Sequence, residues 1–168
     1  MEKSIKTALA GILSSKELST SGNLLPQDVK PLKRLVKQSH ENIRLIFNEL
    51  VQILRSPRKN DIIKLNALHL SNHLVTNSSE FRALLALDIF LCTDVIITKT
   101  SNRSVRKADN LIKSVIDQYL WYLVEWDLRF GDRHKQFRAM VKYLRDTKLM
   151  QLPDILASST DPFLILPS

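Results

Sequence analysis

Residues 104–131 read SVRKADNLIKSVIDQYLWYLVEWDLRFG. Val105, Ala108, Leu111, Ile112, Val115, Tyr119, Leu120, Leu123 and Phe130 recur mostly every three or four positions, the period of a helix. From Tyr119 onward Trp121, Tyr122, Val124, Trp126 and Leu128 thicken the pattern. A helix apolar on most sides has to be covered on most sides. Gly131 is expected to end it in the left-handed conformation, which glycine adopts without a Cβ clash.

The flanking chain supplies the cover as further helices. Residues 3–18 place Ile5, Ala8, Leu9, Ile12 and Leu13 on one face and are expected as a single amphipathic helix, ended by Ser19-Thr20-Ser21-Gly22. The next is expected to start near Asp28, because Pro31 is tolerated only in a first turn. It runs to Gln38 with Val29, Leu32, Leu35 and Val36 inward. Its Lys30, Lys33, Arg34 and Lys37 fall at i, i+3, i+4 and i+7, a single basic stripe. Ser39 can cap a third helix carrying Ile43, Ile46, Phe47, Leu50, Ile53 and Leu54, broken at Ser56-Pro57. A fourth, over about residues 60–76, carries Ile62, Leu65, Leu68 and either Leu70 or Leu74.

Residues 80–97 are apolar nearly all round, with Phe81, Leu84, Leu85, Leu87, Ile89, Phe90, Leu91, Val95 and Ile96, and are expected to be the wholly buried centre. Residues 98–103 read as the longest loop. After Gly131, Asp132 is expected to cap a last helix, to about residue 150, with Phe137, Met140, Val141 and Leu144 inward. Its outer face holds Arg133, Lys135, Arg138, Lys142, Arg145 and Lys148, nearly free of acids. Residues 151–168 form an irregular tail whose Phe163-Leu164-Ile165-Leu166 either docks back or continues into a further segment. No strand alternation occurs. The expected architecture is all-α, a superhelix of about seven helices spanning residues 1–150 as one domain.

Composition narrows the chemistry. The single cysteine, Cys92, lies in an apolar run and reads as a buried, inert thiol; it leaves no intrachain disulfide and suits a reducing compartment. The net charge of +8 and pI of about 9.7 favour polyanionic neighbours without choosing among them. His69 and His73 lie four apart on a helix, but position 70 is leucine and no third ligand is evident, so they read as hydrogen-bonding histidines. Three glycines, Gly11, Gly22 and Gly131, make no phosphate-cradling loop. No carboxylate pair sits isolated in an apolar setting. The residues favour no catalytic role and no cofactor. The basic faces remain: Arg133, Lys135, Arg138, Lys142 and Arg145 as a partner-binding candidate, and Lys30, Lys33, Arg34 and Lys37 with Arg103, Arg106 and Lys107 as candidates for non-specific contact with the DNA backbone.

Trp126-Asp127-Leu128-Arg129-Phe130-Gly131, followed by a helix with Tyr143-Leu144, resembles the Trp-x-x-x-Phe-Gly signature late in VHS and ENTH domains, right-handed superhelices of seven or eight helices. More narrowly, the chain resembles the N-terminal VHS-like domain of the UV-stimulated scaffold protein A family. The matching strings are LSTSG at 18–22, LKRLVKQS at 32–39, SSEFRALL at 78–85 with Phe81, WDLRFG at 126–131 and KYLRD at 142–146. This resemblance implies a non-catalytic docking module in transcription-coupled nucleotide excision repair, nuclear and chromatin-associated. It implies association with RNA polymerase II stalled at DNA damage and docking on the WD-repeat Cockayne syndrome A subunit. A ubiquitin-specific protease and TFIIH would be engaged through segments outside this sequence, since the family's acidic TFIIH-binding and zinc-binding regions are not in it. Trp126, Phe130, Gly131 and Phe81 are then a structural signature, with Trp126 and Phe130 more core than contact.

Two rival readings follow from the same fold. Other VHS and ENTH domains are membrane adaptors, and residues 1–18 with Lys3, Lys6 and Lys16 suit an anionic bilayer, yet their apolar face is what the first layer of a superhelix needs, so no membrane is expected. A related superhelical domain binds the RNA polymerase II tail, and lysine and arginine faces carry the sign of charge that phosphoserines require.

Overall fold

The computed structural model describes residues 2–56, 60–102, 109–147 and 152–153. The regular structure among them is eight helices: α1 (Glu2–Leu13), α2 (Lys16–Ser21), α3 (Pro26–Gln38), α4 (Glu41–Arg55), α5 (Asp61–Asn77), α6 (Ser79–Asn102), α7 (Asp109–Phe130) and α8 (Lys135–Thr147). They stack as an all-α superhelix.

Short polar side chains set several of the boundaries. The stretch expected as one helix over 3–18 divides, because Ser15 becomes the N-cap of α2 and its Oγ accepts from the Leu18 N–H at 3.1 Å. Gly22 closes α2 at φ 71°, its N–H donating to the Leu18 carbonyl at 2.7 Å. The division accounts for eight helices where about seven were expected. α3 starts at Pro26, earlier than anticipated, and carries Pro31 beyond its first turn. Pro31 lies on the exposed side beside exposed Gln27, so the carbonyl it leaves unserved is open to water. Ser39 acts at the entry to α4, its Oγ accepting from the Glu41 N–H at 3.3 Å, while Asn42 Nδ2 donates back to the Leu35 carbonyl at 2.6 Å. Asn60 and Ser78 cap α5 and α6 by accepting from the N–H groups of Ile63 and Phe81, at 2.9 and 3.1 Å.

The centre of the domain is α5, not α6. Helices α1, α2, α4, α6 and α7 all pack on α5, and every residue from 64 to 71 is buried. Its polar side chains are internal connectors. Asn66 Nδ2 donates to the carbonyls of Leu13 and Ser15, both at 2.8 Å. His69 Nδ1 meets the Tyr122 hydroxyl at 2.6 Å. Asn72 Oδ1 accepts from the Trp126 indole at 2.8 Å. These bonds fix which helices meet, although Asn66 Oδ1 is buried with no hydrogen-bond partner among the described residues.

α6 packs on α4, α5, α7 and α8 through Phe81, Leu85, Ala86, Ile89, Cys92 and Ile96, but Leu87, Phe90 and Leu91 face out. The expectation of a wholly buried helix therefore fails: neighbours cover only part of its circumference. It also continues to Asn102, through residues anticipated as loop. Residues 103–108, including Arg103, Arg106 and Lys107, lie outside the described residues, as does the tail apart from Leu152 and Pro153; Leu152 packs against the core.

α8 begins at Lys135, and Asp132 is not its cap. Asp132 lies in the turn and accepts instead from Arg138 Nη1 at 2.7 Å. Gly131 does not take the left-handed conformation; Gly22 alone among the described glycines does. Gly131 is needed for space. A Cβ there would collide with the Asp127 carbonyl oxygen and carboxylate, and would meet Arg138 Nη2 at 2.8 Å.

Candidate docking surface

Of the signature residues, Trp126, Phe130 and Gly131 build the α7–α8 junction and Phe81 lies on α6. Trp126 is 1% exposed. Its indole stacks on Tyr122 at 6.1 Å between centroids, meets Tyr119 edge-on at 6.3 Å and tilts against Phe137 of α8 at 5.9 Å. Phe81 is equally buried and sits edge-on to Phe47 at 5.6 Å. Both belong to the core, as the helical spacing indicated.

Phe130 is half-buried and carries the Arg82 guanidinium 4.0 Å above its ring. Arg82 is held there by α5, its Nε and Nη2 donating to the carbonyls of Val75 and Thr76 at 2.9 and 3.2 Å. Burial lowers the proton affinity of Arg82, and the nearby charges of Arg133 and Arg129 lower it further. His134 is lowered in the same way, by burial and then by Arg82 and Arg133. These mutual effects locate a concentration of positive charge at the turn into α8.

The candidate bases of the last helix separate into two groups. Arg138 Nε bonds Asp127 at 3.0 Å while its Nη1 bonds Asp132, and Lys142 bonds Asp146 at 2.9 Å. Those carboxylates raise the affinity of Arg138 and Lys142 for their protons. Arg133, Lys135 and Arg145 are exposed with no salt bridge to a described residue. These three meet a partner as they stand, whereas Arg138 and Lys142 have to exchange an exposed internal pair first.

Sequence reasoning missed the apolar part of this surface. Leu87, Phe90 and Leu91 of α6 are 77%, 48% and 51% exposed, and Tyr143 of α8 is 47% exposed. The rings of Phe90 and Tyr143 lie 6.2 Å apart. Together with the approach of Arg82 to Phe130, that contact sets α8 beside α6 and running the same way. The surface grades from a basic end at the turn to an apolar end about 12 Å along α6. The available signal was the excess of apolar residues around α6; it indicates burial or a binding face, and periodicity cannot distinguish them.

The α3 stripe is split by its surroundings. Lys33 and Lys37 border a groove shared with α5 and the start of α6, whereas Arg34 borders the α1–α3 side. Lys30 is exposed. His69 and His73 do not cooperate: His69 is engaged with Tyr122, and His73 lies beside Asn77. Among the described residues no three His, Cys, Asp or Glu side chains converge as metal ligands, and no described helix is long and apolar enough to cross a membrane.

A family model described as the UVSSA N-terminal domain matches residues 6–148. The UV-stimulated scaffold protein A homolog of Arabidopsis thaliana is 23% identical over 149 residues, covering 89% of this chain and 22% of the plant protein. The UV-stimulated scaffold protein A of Mus musculus is 26% identical over 142 residues, covering 83% of this chain and 20% of the mouse protein. That of Rattus norvegicus is 25% identical over 146 residues, covering 83% and 19%. The chain thus spans about a fifth of the length of the curated relatives it matches.

Proposed function

This chain belongs to the UV-stimulated scaffold protein A family through its N-terminal domain, and on that footing we propose that it is a non-catalytic docking domain of transcription-coupled nucleotide excision repair. It binds the WD-repeat Cockayne syndrome A subunit beside stalled RNA polymerase II, in the nucleus and on chromatin. The relatives are named as scaffold proteins, which suits docking rather than catalysis. The observation that carries the reading is the α6–α8 surface. Leu87, Phe90 and Leu91 of α6, with Tyr143 of α8 beside Phe90, form an exposed apolar face. Arg133 and Lys135, with no salt bridge to a described residue, continue it at the turn. Interfaces commonly combine an apolar centre with a charged rim in this way.

The test is a pull-down of this chain against purified Cockayne syndrome A subunit at low and high salt. Stoichiometric binding that survives salt is expected, because the apolar part dominates. Absence of binding by a chain shown folded by circular dichroism overturns the proposal.

A further inference from the structure

We propose that the groove between α3 and the α5–α6 junction takes an acidic peptide segment carrying one or two large apolar side chains. The groove encloses about 380 Å³, within the range of pockets that hold small ligands and side chains. Its floor is apolar, made by Val29, Leu32 and Val36 of α3 and Leu74 of α5. The α3 wall of its rim is basic, with Lys33 and Lys37 exposed, and His73 stands opposite on α5. His73 is held below its ordinary proton affinity by burial and by the charge of Lys33, which places those two groups within electrostatic reach. The one carboxylate at the rim, Glu80, is engaged with His40 at 3.2 Å.

Floor and rim ask for different things, and a single occupant must supply both. A nucleic-acid backbone would satisfy Lys33 and Lys37 but leave Val36 and Leu74 with nothing to cover them. An uncharged apolar segment would cover the floor and ignore the lysines. A second copy of this chain would bring another basic surface of a molecule with net charge +8 against the first, which like-charge repulsion opposes. Asp or Glu flanking Leu, Ile, Phe or Trp meets both demands. The site is separate from the α6–α8 surface and does not depend on the docking partner proposed for it.

A display library of random twelve-residue peptides, panned against the whole chain, tests this directly. Selected peptides are expected to carry net negative charge and at least one large apolar residue. A fluorescein-labelled synthetic copy of the leading peptide should lose about tenfold in affinity on combined Lys33→Glu and Lys37→Glu replacement, two exposed charge reversals. Arg34→Glu, on the same helix but outside the groove, should change affinity less than about threefold at physiological salt, where charges are screened within roughly 8 Å. Val36→Ser, with its melting temperature checked, should weaken the peptide by the loss of floor contact. The proposal is overturned if no acidic peptide is selected, if binding survives the lysine reversals, or if Arg34→Glu weakens binding as much as they do. It is also overturned if a 20-base-pair duplex binds in a Lys33- and Lys37-dependent way while no acidic peptide does, which would assign the stripe to DNA.

Discussion

The indole nitrogen of Trp126 donates to Oδ1 of Asn72 at 2.8 Å, joining α7 to α5 across 54 residues of chain. The largest buried side chain of the domain therefore makes a polar contact as well as filling volume. Trp126→Ala should cost about 3–5 kcal/mol, and Asn72→Ala about 1–3 kcal/mol by leaving a buried donor without its partner. Denaturant unfolding of both variants checks this; wild-type stability in Trp126→Ala, with docking lost, would move Trp126 from the core to the interface.

Gly131 and Gly22 resist substitution for different reasons. Gly131→Ala forces a Cβ onto the backbone oxygen of Asp127, which cannot move without unwinding the end of α7. About 1–3 kcal/mol is expected, read as a fall of several degrees in melting temperature. Gly22→Ala meets strain at φ 71° and a contact of 3.3 Å with His69 Cε1, for about 1–2 kcal/mol. Gly22→Asn should recover part of that loss, because asparagine tolerates the left-handed region, while Gly131→Asn should be no better than Gly131→Ala.

Burial holds His69 below its ordinary pKa of 6.5. The neutral ring is favoured in the folded state, so the unfolded chain binds more protons as pH falls through 6.5. Stability from this group is complete above 6.5 and declines below it, by at most about 1.4 kcal/mol per pH unit for one proton. His73 and His134 are shifted in the same direction and add to the effect. Melting temperatures between pH 7.5 and 5.5 should fall in the wild type and fall less in His69→Gln; identical slopes would remove His69 from the account.

Leu87→Asp and Phe90→Ser test the exposed face without touching the core. Melting temperatures should stay near wild type, since exposed substitutions of this kind change stability by about 0.5 kcal/mol or less. Binding to the Cockayne syndrome A subunit should fall by at least about tenfold in the double variant, as loss of a central apolar anchor does. Phe81→Ala, buried on the opposite side of the same helix, should show the reverse: a loss of about 3–5 kcal/mol in stability.

Burial and the nearby charge of Asp88 push the Cys92 thiol up to about 12. A thiolate is the reactive form, so a disulfide reagent should leave the folded chain unmodified and label it fully in denaturing guanidinium. Rapid labelling of the native chain would show that α6 opens locally.

Much of the local architecture was legible in the chain. Ser39 stands at the entry to α4 and accepts from the Glu41 N–H, although His40 occupies the capping position, and Phe137, Met140, Val141 and Leu144 turn inward as their spacing requires. The strings at 18–22, 32–39, 78–85, 126–131 and 142–146, taken in order, carried the family resemblance. Of the candidate site, only the charges were visible. Arg133, Lys135 and Arg145 stand exposed, but nothing local shows that Arg138 is held by Asp127 and Asp132, or that Phe90 and Tyr143 share a surface.

The sequence by itself determined that the chain is helical, where most helices begin, and which stripe of each is apolar, because those properties depend on neighbours three or four residues apart. Tertiary structure decided the rest. α5 rather than α6 became the centre, since burial depends on how many other helices cover a helix, a property no single stretch carries. Asn66 could enter the core, and half-buried Asn72 could line it, because Leu13, Ser15 and Trp126, more than fifty residues away, meet them. Gly131 is required by the atoms of Asp127 and Arg138 around it rather than by its own backbone angle. Leu87, Phe90 and Leu91 became a surface because no described helix lies over them.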